Sequence, residues 1–273
     1  MFSNIKFIVS DMDGTLLNSK GEVHPIFFEL HEKLKQRDIL FCAASGRQYD
    51  SIINKLSSIQ NDIYVIAENG SNVQHQNQKL LQNTIDVSVA ISAIEILRKI
   101  EDTYIVLCTE NGAYIETTNE SFVQLFKEYY NNYHIVDSLD EVVSKVGIYK
   151  IASYHGTSSE AYIFPFVKEL EKEALLKVSG QHWLDISDNQ SNKGNALQFL
   201  QKELNISKNE TIVIGDYLND LELFEHASVG FAVKNAHPKI KEIAQYETES
   251  NDNLGVERVL KAVLDSKLHS EGQ

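Results

Sequence analysis

Along the first 67 positions, short apolar runs alternate with longer amphipathic stretches. The runs at residues 5–10, 39–44 and 63–67 are too short for buried helices and rich in Ile, Val and Phe, so they predict strands. Between them, apolar residues recur at helical spacing over 24–37 and 47–57. Strand and helix alternating at this interval predict a parallel, doubly wound sheet, because parallel neighbours need a crossover long enough to hold a helix. The pattern resumes after Lys193, with a helix to 204, a strand over 211–215, a helix from 219, a strand over 229–233 and a helix over 254–264. Residues 267–273 read as a frayed tail.

From about residue 84 to 187 the pattern is different. A helix is predicted over 87–100, then strands over 104–108 and 113–116 around the pair Asn111-Gly112, a hairpin signal that belongs to antiparallel sheets. Helices over 121–132 and 158–173 and strands over 147–154, 175–179 and 182–186 complete an α+β segment. The fold class is therefore α/β: a doubly wound, Rossmann-like parallel-sheet core, residues 1–83 and 187–273, with an inserted α+β domain, residues 84–186.

Four polar clusters fall where these strands end or a helix begins: Asp11-Met12-Asp13-Gly14-Thr15, Ser45-Gly46-Arg47, Lys193-Gly194 and Gly215-Asp216-Tyr217-Leu218-Asn219-Asp220. In an open parallel sheet the carboxyl ends of the strands converge on one crevice, so the clusters are expected together. Asp11 and Asp13, two residues apart before a glycine, suit a shared cation or simply a carboxylate-rich turn. They do not suit an EF-hand, which wants another acidic residue before its glycine, a Glu at position 12 of the loop and flanking helices. Asp216 and Asp220, four apart at a helix start, alone read as a cap. Four carboxylates in one crevice, however, repel one another unless a cation neutralises them, and Mg²⁺ is the hard ion that takes a few carboxylates and keeps a position for a phosphate oxygen. Ser45 and Gly46 offer a hydroxyl and backbone N–H groups for phosphate, or a plain N-cap. Lys193 would supply a fixed positive charge opposite the metal.

Composition narrows the partners. Hydrophobic residues make up 42% and charged residues 23%, ordinary for a folded chain. The net charge of -14 argues against nucleic-acid and membrane partners, which need clustered Lys and Arg. An anionic small substrate then requires a local cation in one cleft. No apolar run approaches the roughly 18 residues of a membrane span and the first ten residues lack a signal-peptide pattern, so a cytoplasmic location is expected. Cys42 and Cys108 sit inside apolar runs and are expected to be buried thiols. Trp183, His182 and Tyr114 are better read as a packed aromatic, a surface histidine and another packed aromatic than as substrate contacts.

In this order the clusters resemble the four motifs of the haloacid-dehalogenase (HAD) superfamily of phosphotransferases. The insertion between the second and third motifs is similar to the large α+β (C2-type) cap, specifically that of the Cof-like sugar-phosphate phosphatases. Glu68-Asn69-Gly70 and Val233-Lys234-Asn235-Ala236 resemble further signatures of that group. Two departures are mild: Ser45 stands where many relatives have threonine, keeping the hydroxyl, and Leu223 where methionine is common. The resemblance implies a Mg²⁺-dependent phosphatase of small phosphorylated metabolites, sugar phosphates foremost. Asp11 would be the nucleophile and form an aspartyl phosphate, and Asp13 the general acid and base. The side chains of Asp11 and Asp216 and the backbone carbonyl of Asp13 would hold the metal, with Asp220 supporting them from behind. Met12 and Gly46 would bind phosphate through backbone N–H, and Ser45, Lys193 and Asn219 through side chains. A phosphomutase using the same intermediate is a rival reading. However, residues 83–186 carry eight basic residues, Arg98 the only arginine, against sixteen acidic ones, poor equipment for gripping a second phosphate. A non-catalytic ligand-binding protein, the other rival, would have no need to keep nucleophile, acid, lysine and metal carboxylates together.

Overall fold

The computed structural model describes residues 2–127, 130 and 132–271. The chain divides into two compact units, one formed by the residues up to Leu81 and from Asn192 onward, the other by Gln82–Ser191. In chain order the strands are β1 (Phe7–Asp11), β2 (Leu40–Ala44), β3 (Ile63–Ala67), β4 (Asn72–His75), β5 (Gln78–Gln82), β6 (Thr103–Thr109) and β7 (Gly112–Ile115). They continue with β8 (Tyr133–Ile135), β9 (Ile148–His155), β10 (Leu175–Val178), β11 (Trp183–Ser187), β12 (Thr211–Gly215), β13 (Val229–Ala232) and β14 (Tyr246–Glu247).

The first unit is built on a sheet of order β14-β13-β12-β1-β2-β3-β4-β5. Every pair from β14 to β3 is parallel. Every residue of β1 and β12 is buried, which is why these strands read as continuous apolar runs: helices cover both faces of such a sheet. The register aligns Ser10 with Ile214 on one side and Asp11 with Ala44 on the other. Asp11, Ala44 and Gly215 therefore end their strands at one edge.

The helices start and stop where their caps dictate. Pro25–Lys35 opens on a proline behind His24, whose ring Nδ1 accepts the Ile26 N–H at 3.3 Å. Lys193–Leu204 begins at Asn192, whose side chain accepts the Asn195 N–H at 2.7 Å, and ends at Asn205 in the left-handed conformation. Ala196, Leu197 and Leu200, at helical spacing, join the core with Phe7, Phe27 and Phe41. Each large apolar side chain so buried contributes about 2 kcal/mol.

The sequence pattern misses the hairpin β4–β5. These strands are largely polar, and their turn is made by Gln76 and Asn77, both at positive φ (51° and 61°), the primed geometry a two-residue hairpin needs.

The second unit has sheet order β10-β11-β9-β6-β7-β8, antiparallel except for the β7–β8 pair. Strand alternation sends Leu107, Ile151, Leu184 and Ile186 to one cluster and Val106, Cys108 and Ala152 to another. The first packs on the helix Val87–Leu97, the second on Phe122 and Phe126 of Glu120–Phe126. Fold class and insertion thus appear as α/β with a parallel core sheet and a separate α+β unit.

Four local expectations change. Thr109 pairs with Gly112, so the β6–β7 turn is Glu110-Asn111, one residue earlier than the Asn-Gly signal suggests. The helix expected over 158–173 is broken into Ser159–Tyr162, Phe164–Val167 and a 3₁₀ segment Lys168–Lys172, because Pro165 lacks the N–H that a continuous helix uses. The helix expected over 121–132 is Glu120–Phe126, and residues 128, 129 and 131 lie outside the described residues. The last helix, Gly255–Glu271, extends into the stretch read as a frayed tail, of which 272 and 273 lie outside the described residues. Cys42 and Cys108 are both buried, as expected. Among the described residues, no helix is long and apolar enough to cross a membrane.

Candidate active site

Asp11, Lys193 and Asp220 form the buried centre of the first unit. Asp11 closes β1, Lys193 opens its helix, and Asp220 ends the 3₁₀ turn Leu218–Asp220 that follows β12. The Lys193 ammonium is fully buried and donates to Asp11 Oδ1 at 2.5 Å and Asp220 Oδ1 at 2.7 Å. The other oxygen of Asp220 accepts the backbone N–H groups of Asp216 (3.0 Å) and Tyr217 (3.2 Å). Asp216 Oδ1 accepts the Thr15 hydroxyl at 3.0 Å, tying the turn after β1 to the turn after β12. Asp11, Asp216 and Asp220 each bring a carboxylate oxygen within 4.8 Å of the others. Gly14 makes this approach possible: at φ +79° it takes a conformation that disfavours other residues, and a Cβ there would lie 2.5 Å from Asp216 Oδ2.

Three carboxylates meet one ammonium in this low-dielectric place. Burial drives the Asp11 carboxyl well above its ordinary range; Lys193 pulls it back, while the charges of Asp220 and Asp216 push it further up. Asp216 is pushed up to about 6 by burial and then by Asp220. For Lys193, burial opposes the charge, but Asp11 and Asp220 outweigh it and hold the ammonium above its usual value. The cluster is thus short of positive charge, and its donors are all hard oxygens. That set fits a small divalent cation such as Mg²⁺. Asp220 has both oxygens engaged, so Asp11 and Asp216 are the side chains with capacity for the ion.

Asp13 is not part of this cluster. Of the four carboxylates expected together, three meet; the side chain of Asp13 is half-exposed and lies in a bidentate pair with Arg47, Nε to Oδ2 at 2.7 Å and Nη2 to Oδ1 at 2.6 Å. The Arg47 guanidinium also donates to Ser51 Oγ at 3.2 Å, and its hydrogen bonds to Asp13 raise its already high pKa.

The expected phosphate ligands lie close by. Ser45 is buried and its Oγ accepts the Arg47 backbone N–H at 3.1 Å. Gly46 abuts Asn69, whose Oδ1 and Nδ2 would each be 3.1 Å from a Cβ on Gly46. Asn219 Nδ2 donates to Asn69 Oδ1 at 3.1 Å. Met12 is fully buried, with its carbonyl accepting the N–H groups of Thr15 and Leu17. Asn235 donates to the Gly14 carbonyl at 2.7 Å and accepts the Asn251 N–H, bracing the turn that carries Asp13. Thr15, Arg47, Asn69 and Asn235 stand inside the motifs read from the sequence, yet sequence alone gave them no role; their partners are distant in the chain.

A family model for haloacid dehalogenase-like hydrolases matches residues 8–260. The chain belongs to that family. It is 28% identical over 268 residues to the Escherichia coli K12 5-amino-6-(5-phospho-D-ribitylamino)uracil phosphatase YbjI, covering 96% of this chain and 97% of that protein. It is 29% identical over 294 residues to the Bacillus subtilis phosphatase YwpJ, covering 95% and 100%. Among solved structures, TM0651 from Thermotoga maritima superposes with a TM-score of 0.85 at 29% identity, over 94% of this chain and 97% of that one. The family and these relatives support an enzyme with phosphatase activity.

Proposed function

We propose that the protein is a Mg²⁺-dependent phosphatase of small phosphorylated metabolites, sugar and polyol phosphates foremost, working through an aspartyl phosphate on Asp11. The observation that carries the reading is the buried Asp11–Lys193–Asp220 triad with Asp216 beside it: it fixes a carboxylate at a strand end next to one positive charge and leaves the cluster short of another. The relative from Escherichia coli is named for a substrate bearing its phosphate on a ribityl chain, which supports the polyol class.

On this reading Asp11 and Asp216, with the Asp13 carbonyl, hold Mg²⁺, which supplies charge neutralisation at the phosphoryl oxygens. An Asp11 oxygen attacks phosphorus in line, the bond to the leaving oxygen breaks, and Asp13 gives that oxygen a proton. Asp13 then takes a proton from the water that attacks the phosphorus of the aspartyl phosphate, releasing phosphate and regenerating Asp11. To do either, the Asp13 carboxyl must exchange its pair with Arg47 for the substrate. Ser45, Lys193, Asn219 and the backbone N–H groups of Met12 and Gly46 hold the phosphate. The inserted unit carries selection of the leaving group.

Assay of the full chain against a panel of phosphate monoesters tests this. Turnover is expected with Mg²⁺, lost on chelation and restored by Mg²⁺, with sugar and polyol phosphates ahead of nucleotides in kcat/KM. Undiminished turnover after exhaustive chelation contradicts the metal role. A ranking led by nucleotides contradicts the substrate class.

A further inference from the structure

The segment Glu68-Asn69-Gly70 is the most strained backbone near the site. Its three residues lie in succession at φ 50°, 54° and 103°. L residues with side chains avoid this region, and such a run persists only where its surroundings over-determine it.

The surroundings are the functional clusters themselves. The Glu68 N–H donates to the Arg47 carbonyl and the Asn69 N–H to the Ser45 carbonyl, both at 3.0 Å. Gly70 presses on the start of the Lys193 helix: a Cβ there would lie 2.2 Å from the Asn192 carbonyl oxygen. The Asn69 side chain lies against Gly46 and accepts from Asn219 at 3.1 Å. One short turn thus touches the segments holding Ser45, Lys193 and Asn219.

The bond between the two asparagines has a direction. An asparagine carboxamide carries two N–H donors on nitrogen and only acceptors on oxygen, and its two ends are nearly equal in shape. Unheld, Asn219 could turn its oxygen toward an anion. In the arrangement of the structure one Nδ2 hydrogen goes to Asn69 Oδ1, and the second hydrogen of the same nitrogen remains as a donor. The Asn69 backbone is held on Ser45 and its side chain lies against Gly46, which keeps the carboxamide beside Asn219.

We propose that Asn69 is a positioning residue of the phosphate pocket, locking the Asn219 carboxamide with its N–H toward phosphate, and that the left-handed turn at 68–70 exists to hold it there. The proposal rests on the reading of Asn219 as a phosphate ligand given above.

The test is a double-mutant cycle in the full chain with Mg²⁺: Asn69→Gly, Asn219→Ala and both together. Glycine accepts the left-handed backbone, so Asn69→Gly removes the carboxamide without straining the turn. The readouts are kcat/KM for p-nitrophenyl phosphate and the dissociation constant of inorganic phosphate by calorimetry. Asn69→Gly is expected to weaken both by about tenfold, the loss of one well-aimed hydrogen bond to a charged group. The double variant is expected to be no worse than Asn219→Ala alone. Losses that multiply, an unchanged phosphate affinity in Asn69→Gly, or a loss tracking a collapse in melting temperature overturn the role of Asn69. A wild type that neither hydrolyses phosphate monoesters nor binds phosphate overturns the underlying function as well, so the two failures are told apart.

Discussion

Lys193 lets two carboxylates lie buried side by side, and Asp216 is the residue whose charge is left over. Its carboxyl, pushed up to about 6 by burial and by Asp220, keeps its proton to higher pH in the folded chain than in the unfolded one. Between the ordinary aspartate value and about 6 the folded state therefore binds more protons, and without metal its stability falls as pH rises through that window. Mg²⁺ needs the ionised form, so it opposes that fall. Thermal melts with and without Mg²⁺ at about pH 5 and about pH 7.5 should show a larger metal-induced rise in Tm at the higher pH. An equal rise at both would mean that Asp216 is not the titrating ligand. At this scale the residues were legible: Asp11, Lys193, Asp216 and Asp220 are brought together from three of the four segments named in the sequence. The direction of Asp13 was not, since its arginine partner is 34 positions away and strand-end logic fixes only where a backbone stops.

The elements that read clearly from sequence are those buried on both faces or cleanly capped. β1, β12 and the helix Lys193–Leu204 carry continuous apolar runs or an Asn cap, and these are the elements that set the site. The hairpin β4–β5 was invisible because its residues are largely polar, buried in β4 and exposed in β5, so no apolar run or alternation marks it and its turn is set by two positive-φ residues. Pro165 in a helical pattern should have signalled a break. The close packing of elements around Gly70 yields a stability prediction. Gly70→Ala forces a side chain into φ +103° and a Cβ to 2.2 Å from the Asn192 carbonyl, so it should destabilise the chain by roughly 2 kcal/mol or more, lowering the denaturation midpoint. A midpoint equal to wild type would show that the 68–70 turn and the Lys193 helix are not locked together as described.

Across the whole chain, acidity and catalysis impose a joint constraint. A net charge of -14 repels a phosphate at long range, and on the proposed reading the short-range field of the buried Lys193, together with Mg²⁺, would reverse it locally, because buried charges are screened far less than surface ones. The relatives align over more than nine-tenths of the chain, so the family match takes in the inserted unit as well as the core. The central claim is covalent catalysis at Asp11, and the most direct measurement is a single turnover with protein in excess over substrate, quenched in acid and mapped by peptide mass spectrometry. With p-nitrophenyl phosphate, whose leaving group departs without a proton from Asp13, the Asp13→Asn variant lacks only the base for the second step and should accumulate phosphate on the peptide bearing Asp11, with a smaller transient amount in the wild type. Turnover with no phosphoprotein formed, or phosphate on any other side chain, would contradict the account.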